Sequence, residues 1–222
     1  MDLQFIEIIP KAGPLLWGAL YTIFVGVIAC GVGILVGTGL LLMRNSRFWL
    51  LRTFVRIYGS FIRGTPALVQ ILVFYYALAP LTGINIGPFT AGIMAVGFNS
   101  GAYVAEILRG GLSRIPKGQW EAADSLGLSA LSKYRFVVGP QVLTAITPPL
   151  AGQAISLVKD TSIVSLISIQ EMTFVGTEMA NSSGLIFEIW LIVGFVYFAL
   201  CFALSRLFKV IEQRSSAYIN HQ

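Results

Sequence analysis

Long apolar stretches alternate with short polar segments along the chain, and their lengths predict membrane-spanning helices. Residues Ala12 to Met43 carry no charged side chain over 32 positions. Residues Gly64 to Ala105 carry none over 42 positions. A transmembrane helix needs about 20 predominantly apolar residues. The first stretch therefore accommodates one span, and the second accommodates two.

A turn divides the second stretch, because Thr82 to Pro88 contains two glycines and a proline. A fourth span is predicted from about Leu143 to Ile167, and a fifth from about Leu185 to Leu207. The pattern is that of an all-α integral membrane protein with five transmembrane helices.

The second span has an irregular start at Arg63-Gly64-Thr65-Pro66. Only 15 residues separate Pro66 from Pro80, both included, which is too short for about 30 Å of hydrocarbon. The helix must therefore begin before Arg63, with a kink or local opening at Gly64–Pro66. Arg63 itself is expected to extend to the inner membrane surface.

Basic residues cluster in the segments that follow the first, third and fifth spans. These segments contain Arg44, Arg47, Arg52, Arg56 and Arg63, then Arg109, Arg114, Lys117, Lys133 and Arg135, then Arg206, Lys209 and Arg214. Because lysine and arginine are retained on the cytoplasmic side, the N-terminus is predicted outside and the C-terminus in the cytoplasm. Residues 1–14 form an extracytoplasmic segment in this scheme, and residues 211–222 form a cytoplasmic tail.

The N-terminus does not have the pattern of a cleaved signal peptide. Asp2 and Glu7 stand where such a peptide has basic residues, and the apolar run that follows is too long. We expect this stretch to be retained as the first span.

Composition excludes several classes of protein. Apolar residues make up 56% of the chain and charged residues 11%, against about 25% charged in soluble domains. A soluble globular protein, a disordered chain and a coiled coil are thereby excluded. The net charge of +5 is accounted for by membrane topology, so no nucleic-acid partner is expected.

Residues for catalysis or metal binding are scarce. Cys30 and Cys201 lie inside apolar runs and have no disulfide or metal-site spacing. The single histidine, His221, is the penultimate residue, so no nucleophile–base pair or metal cluster is formed by the sequence. We expect no enzyme activity, no cofactor and no metal in this chain.

Small residues recur every fourth position in two of the predicted spans. They are Ala29, Gly33 and Gly37 in the first span, with Thr22, Gly26 and Cys30 on a neighbouring line, and Gly97, Gly101 and Ala105 in the third. Such stripes let helix backbones approach closely in lipid. They are interpreted as packing seams rather than phosphate-binding loops.

Polar residues within the spans form two helical faces. They are Asn99, Tyr103 and Glu106 on the third span, and Gln153, Ser156 and Asp160 on the fourth. Polar groups in a membrane usually face the bundle interior or water.

Two interpretations of these faces stay open. One is hydrogen bonding between helices, with Lys159 and Asp160 neutralising each other. The other is a polar cavity for a zwitterionic or charged solute, which is preferred for Asn99 and Asp160. Glu106 lies near the cytoplasmic end, where it can pair with Arg109 or Arg63.

The segment of about 110–140 predicts two short helices outside the membrane. Pro116 suits the start of the first helix and Gly127 its C-terminal cap. Ser129 can cap a second helix, Ala130 to Val138, that ends before Pro140. Trp120 and Leu126 give the first helix more apolar surface than a connector needs, which indicates a docking element for a cytoplasmic partner.

At these residues the chain resembles a known family. Glu121-Ala122-Ala123, Gly127 and Val137-Val138-Gly139-Pro140 are similar to the EAA loop of ABC-importer permeases, with Gly139 in place of the usual leucine. Arg63 to Pro66, Asn99 to Glu106 and Lys159 to Ser162 resemble segments of the polar-amino-acid permease subfamily. The resemblance extends over residues 15–210, as one type-1 permease domain.

The resemblance implies a permease subunit of a type I importer for a polar amino acid, located in the bacterial cytoplasmic (inner) membrane. It implies two ATPase subunits that carry ATP and Mg²⁺, a second permease chain (identical or paralogous) and an extracytoplasmic amino-acid-binding protein, besides membrane lipid. Consistent with a separate ATPase, the sequence contains no G-x-x-x-x-G-K-[ST] phosphate loop.

The polar faces, the apolar surface of the 110–140 segment and the resemblance together give the expected site residues. The expected ATPase-coupling residues are Trp120, Glu121, Ala122, Ala123 and Gly127, and the expected substrate pathway comprises Asn99, Tyr103, Gln153, Ser156 and Asp160. The alternative function is a secondary transporter or channel for a small polar solute, which needs no docking helices. The residues do not specify which amino acid is carried.

Overall fold

The computed structural model describes residues 5, 8, 12–81, 83 and 86–220, and within them the fold is helical without a strand. Most of the predicted extracytoplasmic segment, including Lys11, lies outside the described residues, as does His221.

Nine helices are named here in chain order. They are α1 (Ala12–Arg44), α2 (Trp49–Gly64), α3 (Ala67–Leu72), α4 (Pro88–Ser113), α5 (Lys117–Ser125), α6 (Ala130–Lys133), α7 (Gly139–Asp160), α8 (Met172–Ser183) and α9 (Ile186–Asn220). Helix α3 continues through wide π turns at Val73–Leu78 to Ala79–Leu81, α6 continues through π turns at Tyr134–Val138, and α7 continues as a 3₁₀ helix, Thr161–Ile167.

The predicted seam of small residues joins α1 to α4. A Cβ atom added to Gly97 would lie 2.6 Å from Val32 Cγ1, and one added to Gly101 would lie 2.5 Å from Val36 Cγ1. The two backbones therefore approach as closely as glycine permits, which confirms the packing role. Contacts advance in the same direction along both helices, so α1 and α4 run parallel.

Parallel packing of α1 and α4 requires the chain between them to return across the bundle. Helices α2 and α3 do so, with a bend of 112° at the break between them. The predicted irregularity at Gly64–Pro66 is confirmed, and Thr65 and Pro66 have extended backbone conformations. Among the described residues, four other helical segments are long and apolar enough to span a membrane, so the bent pair is the candidate for a fifth span.

One boundary prediction was wrong. The second helix of the 110–140 segment does not end before Pro140 but continues into the fourth candidate span, Ala130–Ile167. The π turn makes this possible. The Gly139 amide donates to the Tyr134 carbonyl, and Pro140, which has no N–H group, leaves no donor without a partner. A Cβ atom on residue 139 would lie 2.3 Å from that carbonyl oxygen, so the turn requires glycine.

The remaining helices complete the core. Helix α7 runs antiparallel to α4, since Ile146 lies against Gly111 while Val164 lies against Gly92. Helix α8 packs between α1 and α9, where Gly18 would place a Cβ atom 2.9 Å from the Met172 Cα.

Candidate functional site

The break between α2 and α3 creates a polar site inside an apolar bundle. A broken helix leaves backbone carbonyls without partners. The Gln70 amide Nε2 donates to the Ile62 carbonyl (2.8 Å), the Thr65 carbonyl (3.0 Å) and the Thr65 hydroxyl (2.8 Å). Gln70 Oε1 accepts from Asn99 Nδ2 at 2.8 Å. Asn99 of α4 thus connects directly to the break.

An open cleft of about 410 Å³ adjoins this amide pair. Its walls are aromatic and aliphatic, with Asn99 and Gln70 among the few polar groups. The Tyr58 hydroxyl, at its edge, donates to the Phe98 carbonyl at 2.7 Å and holds α2 against α4. An apolar cleft of this size with a few convergent polar groups suits a small-molecule ligand.

The other two polar residues of α4 face different surroundings. Tyr103 is exposed. Glu106 pairs with Arg109, as the sequence predicts, and its Oε2 lies 3.7 Å from Arg44 Nη1. Arg63, the alternative partner for Glu106, instead donates to the Ala102 carbonyl at 3.3 Å. The face at positions 99, 103 and 106 is therefore divided between a cleft and an ionic cluster.

The predicted residues of α7 are separated in the same way. Gln153 Nε2 donates to Ser100 Oγ at 3.3 Å, which is the helix-to-helix bond that the sequence left open. Ser156 and Asp160 are half-buried. No ion pair joins Lys159 to Asp160, and the Asp160 carboxylate has no hydrogen bond to another residue that the structure describes.

The segment of the predicted docking element folds as the local chemistry dictates. Gly127 follows α5 at φ +66°, its amide donates to the Asp124 carbonyl (2.9 Å), and the Leu128 amide donates to the Ala123 carbonyl (3.2 Å). This pair of bonds is a Schellman motif. Ser129 caps α6 by accepting from the Ser132 amide at 3.2 Å.

The surface of α5 mixes exposed and anchored residues. Glu121 and Ala122 are exposed, and Ala123 is buried. Trp120 is half-buried and packs edge-on against Tyr134, with ring centroids 5.6 Å apart. Leu126, by contrast, is 77% exposed. Leu126, the residue that follows α5, thus provides exposed apolar surface at the C-terminal end of this helix.

Two residues were missed by the sequence analysis. Gln70 could have been found from the sequence, because it is an amide side chain four positions after Pro66 in an uncharged stretch. Glu171 is fully buried and N-caps α8 through the Phe174 amide (2.9 Å to Oε1). Its Oε2 accepts from the Tyr197 hydroxyl at 2.7 Å. Glu171 could have been found as a single carboxylate between two apolar stretches.

Comparison with known proteins identifies similar chains. A family model described as the inner membrane component of binding-protein-dependent transport systems matches residues 13–217. The L-cystine transport system permease protein TcyB of Bacillus subtilis is 36% identical over 208 residues, covering 93% of this chain and 88% of that protein. The glutamine transport system permease protein GlnP of Escherichia coli is 34% identical over 215 residues, covering 96% and 98%.

A solved structure shows the same fold. It is the crystal structure of an amino acid ABC transporter with histidines, whose matched chain is 33% identical. The TM-score is 0.89, and the match covers 96% of this chain and 100% of that chain.

Proposed function

The chain belongs to the family of inner membrane components of binding-protein-dependent transport systems, and from this premise we propose how its residues serve transport. It is the membrane-spanning permease subunit of an amino-acid ABC importer, with the ATPase in a separate subunit. The observation that carries this conclusion is the end-to-end match, in sequence and fold, to amino-acid permeases. A secondary transporter or channel does not fit a family that works with a separate ATPase.

The assembly proposed around this chain has four kinds of component. Two permease chains, identical or paralogous, enclose the route of the solute, and two ATPase subunits bind ATP and Mg²⁺ on the cytoplasmic side. An extracytoplasmic binding protein delivers the amino acid to the opposite side. The clustering of basic residues near the ends of α1 and α4 supports the orientation with the C-terminus in the cytoplasm.

The proposed route passes the break between α2 and α3. Asn99 and Gln70 offer amide hydrogen bonds beside an apolar cleft of about 410 Å³, and Tyr103 is exposed on the same helix. Asp160 supplies a carboxylate at the end of α7, with Gln153 and Ser156 on the preceding turns. A rocking of the spans would expose these groups to one side of the membrane at a time.

Thiol labelling tests this route. Asn99→Cys and Asp160→Cys are made in a chain whose Cys30 and Cys201 are replaced, and a membrane-impermeant thiol reagent is applied with and without nucleotide. Leu35→Cys is the control, because Leu35 is 76% exposed on the surface of a span but should face lipid. Labelling of both site positions and not of residue 35 is expected. If neither is labelled in any state, the route does not pass them.

The proposed coupling element is α5 with its cap, from Trp120 to Gly127. ATP-driven closure of the ATPase dimer would press on the exposed Glu121 and Leu126. Helix α5 passes force onward, because the Asp124–Lys133 ion pair and the contact of Trp120 with Tyr134 attach it to the helix that becomes the fourth span. Continuity from α6 into α7 gives that force a rigid path.

Pull-down of the ATPase tests the coupling role. Leu126→Ala and Trp120→Ala should lower the ratio of ATPase to permease recovered in detergent. Leu143→Ala is the matched control, since Leu143 is also exposed (61%) but lies in the span. An unchanged ratio with a lower permease yield would assign Trp120 to folding, and an unchanged ratio for Leu126→Ala would remove α5 from the interface.

A further inference from the structure

A small cavity between α1, α2 and α4 is lined by unusually many guanidinium groups. Its volume is about 160 Å³, and its charged lining residues are Arg44, Arg56, Arg63 and Glu106. The cavity and the apolar cleft are lined by different residues, apart from Tyr58, which lines both. The cavity is therefore separate from the proposed solute route.

The single carboxylate does not neutralise this lining. Glu106 is shared between Arg109, outside the lining, and Arg44. The Arg63 guanidinium donates to the Ala102 carbonyl and interacts with Glu106 only at longer range. The Arg56 side chain forms no hydrogen bond or ion pair with any residue in the described part of the chain. A cavity with three arginines and one shared glutamate favours an anion.

The backbone makes room for one of these arginines. A Cβ atom on residue 59 would lie 3.0 Å from Arg63 Nη1, so Gly59 lets the guanidinium lie flat along α2. Arg56, Gly59 and Arg63 recur at intervals of three or four residues, which places them along one side of the helix. Arg56 and Arg63 therefore line the cavity from one side of α2 and are also exposed at its opening.

The surroundings indicate the source of the anion. The cavity lies beside the end of α1 at Arg44, the last residue of a candidate span. Next to it, Phe48, Trp49 and Leu50 are each more than 60% exposed. Arginine and tryptophan at the end of a span are typical of the membrane–water interface. An anion with an apolar tail fits this position better than a soluble one.

We propose that Arg44, Arg56 and Arg63 bind the phosphate of an anionic phospholipid headgroup, with the acyl chains along the exposed surface of α1 and α2. A cavity of about 160 Å³ holds a phosphate but not the chains. Each arginine near an anionic surface contributes about fivefold to binding. The site is independent of which amino acid the transporter carries.

Native mass spectrometry of the purified full-length chain tests the site by titration with dioleoyl phosphatidylglycerol or dioleoyl phosphatidylcholine. Tighter binding of phosphatidylglycerol is expected, because the choline cation of the other lipid is repelled. Arg56→Gln should weaken phosphatidylglycerol binding about fivefold, and Arg56→Gln with Arg63→Gln should weaken it further. Arg52→Gln is the matched control, because Arg52 is exposed as Arg56 is and lies four residues before it on α2, but does not line the cavity. It should weaken binding clearly less than Arg56→Gln does.

Several results would overturn the proposal. Equal losses from Arg56→Gln and Arg52→Gln would show a diffuse basic surface. Binding of inorganic phosphate or glycerol 3-phosphate as tight as that of the lipid would assign the cavity to a soluble anion. Loss of lipid binding on assembly with the ATPase would assign the arginines to a subunit interface. Arg56→Gln removes no side-chain hydrogen bond or ion pair within the described part of the chain, so its effect does not depend on misfolding.

Discussion

At the scale of single residues, Gly127 has a backbone conformation that other residues avoid. Its φ of +66° lies in the left-handed region, and no neighbouring atom limits a side chain there. The constraint is thus conformational rather than steric, at about 1–2 kcal/mol for an L-residue. Its amide also closes the α5 cap on Asp124.

Substitution of Gly127 should therefore uncouple transport without preventing membrane insertion. Gly127→Pro forces φ near −65° and removes the capping donor, so amino-acid-stimulated ATP hydrolysis of the assembled transporter should fall severely, and Gly127→Ala should have a smaller effect. Gly118→Ala is the control, since Gly118 lies in α5 with open space around it and no positive φ. Normal stimulated hydrolysis by Gly127→Pro would refute the coupling role of this cap.

The buried Glu171 carboxylate makes a second residue-scale prediction. Tyr197→Phe removes the 2.7 Å hydrogen bond to Glu171 Oε2, whose other contacts include the Thr22 hydroxyl at 3.4 Å. Loss of a partner for a buried polar group costs about 1–3 kcal/mol, so the midpoint of thermal unfolding in detergent should drop. Tyr76→Phe, at a position 61% exposed, should leave it unchanged. Equal midpoints for both variants would mean that the network adds no stability.

At the scale of elements, the close packing of α1 against α4 predicts that a single added methyl group lowers the stability of the protein. Gly97→Ala on α4 places a Cβ atom 2.6 Å from Val32 Cγ1, whereas Gly31→Ala on α1 meets nothing within 4 Å. Overpacking costs about 1–3 kcal/mol, so Gly97→Ala should lower the thermal midpoint of the purified chain. Gly31→Ala should raise it slightly or leave it unchanged, as alanine favours helix. A Gly97→Ala protein as stable as wild type would mean that the helices separate freely.

Local chemistry made some elements predictable. The apolar run of Ala12 to Met43 matches α1 within one residue, and the signals at Pro116, Gly127 and Ser129 located α5 and the start of α6. Spacing by four likewise located the glycine seam. Each of these depends on neighbours along one helix or turn.

Features that depend on distant contacts escaped prediction. The hydrogen-bond partner of Asn99 is Gln70, 29 positions away, and the hydrogen-bond partners of Glu171 lie on three helices. Pro140 predicted a helix end, because a proline in an α-helix removes a hydrogen bond. The π turn that accommodates it depends on a backbone contact between Gly139 and Tyr134, for which the sequence offered no clear signal.

At the scale of the whole molecule, the parts have separate tasks. The parallel α1 and α4 helices form a rigid seam, and the bent pair α2–α3 carries the polar break next to the cleft. Helix α5 lies at the far end of the rod formed by α6 and α7. A chain with this division can transmit movement, but nothing in its sequence supplies a phosphate-binding loop to generate it.

Transport in liposomes tests the central claim most directly. The isolated chain, and the chain assembled with its ATPase and binding protein, are reconstituted in parallel, and uptake of radiolabelled glutamine, cystine and a panel of other amino acids is measured with and without ATP. We expect uptake only by the assembly and only when ATP is present on the side of the membrane where the ATPase lies. Uptake should be limited to a restricted set of polar amino acids. Concentrative uptake by the isolated chain without ATP would contradict the account and identify a secondary transporter.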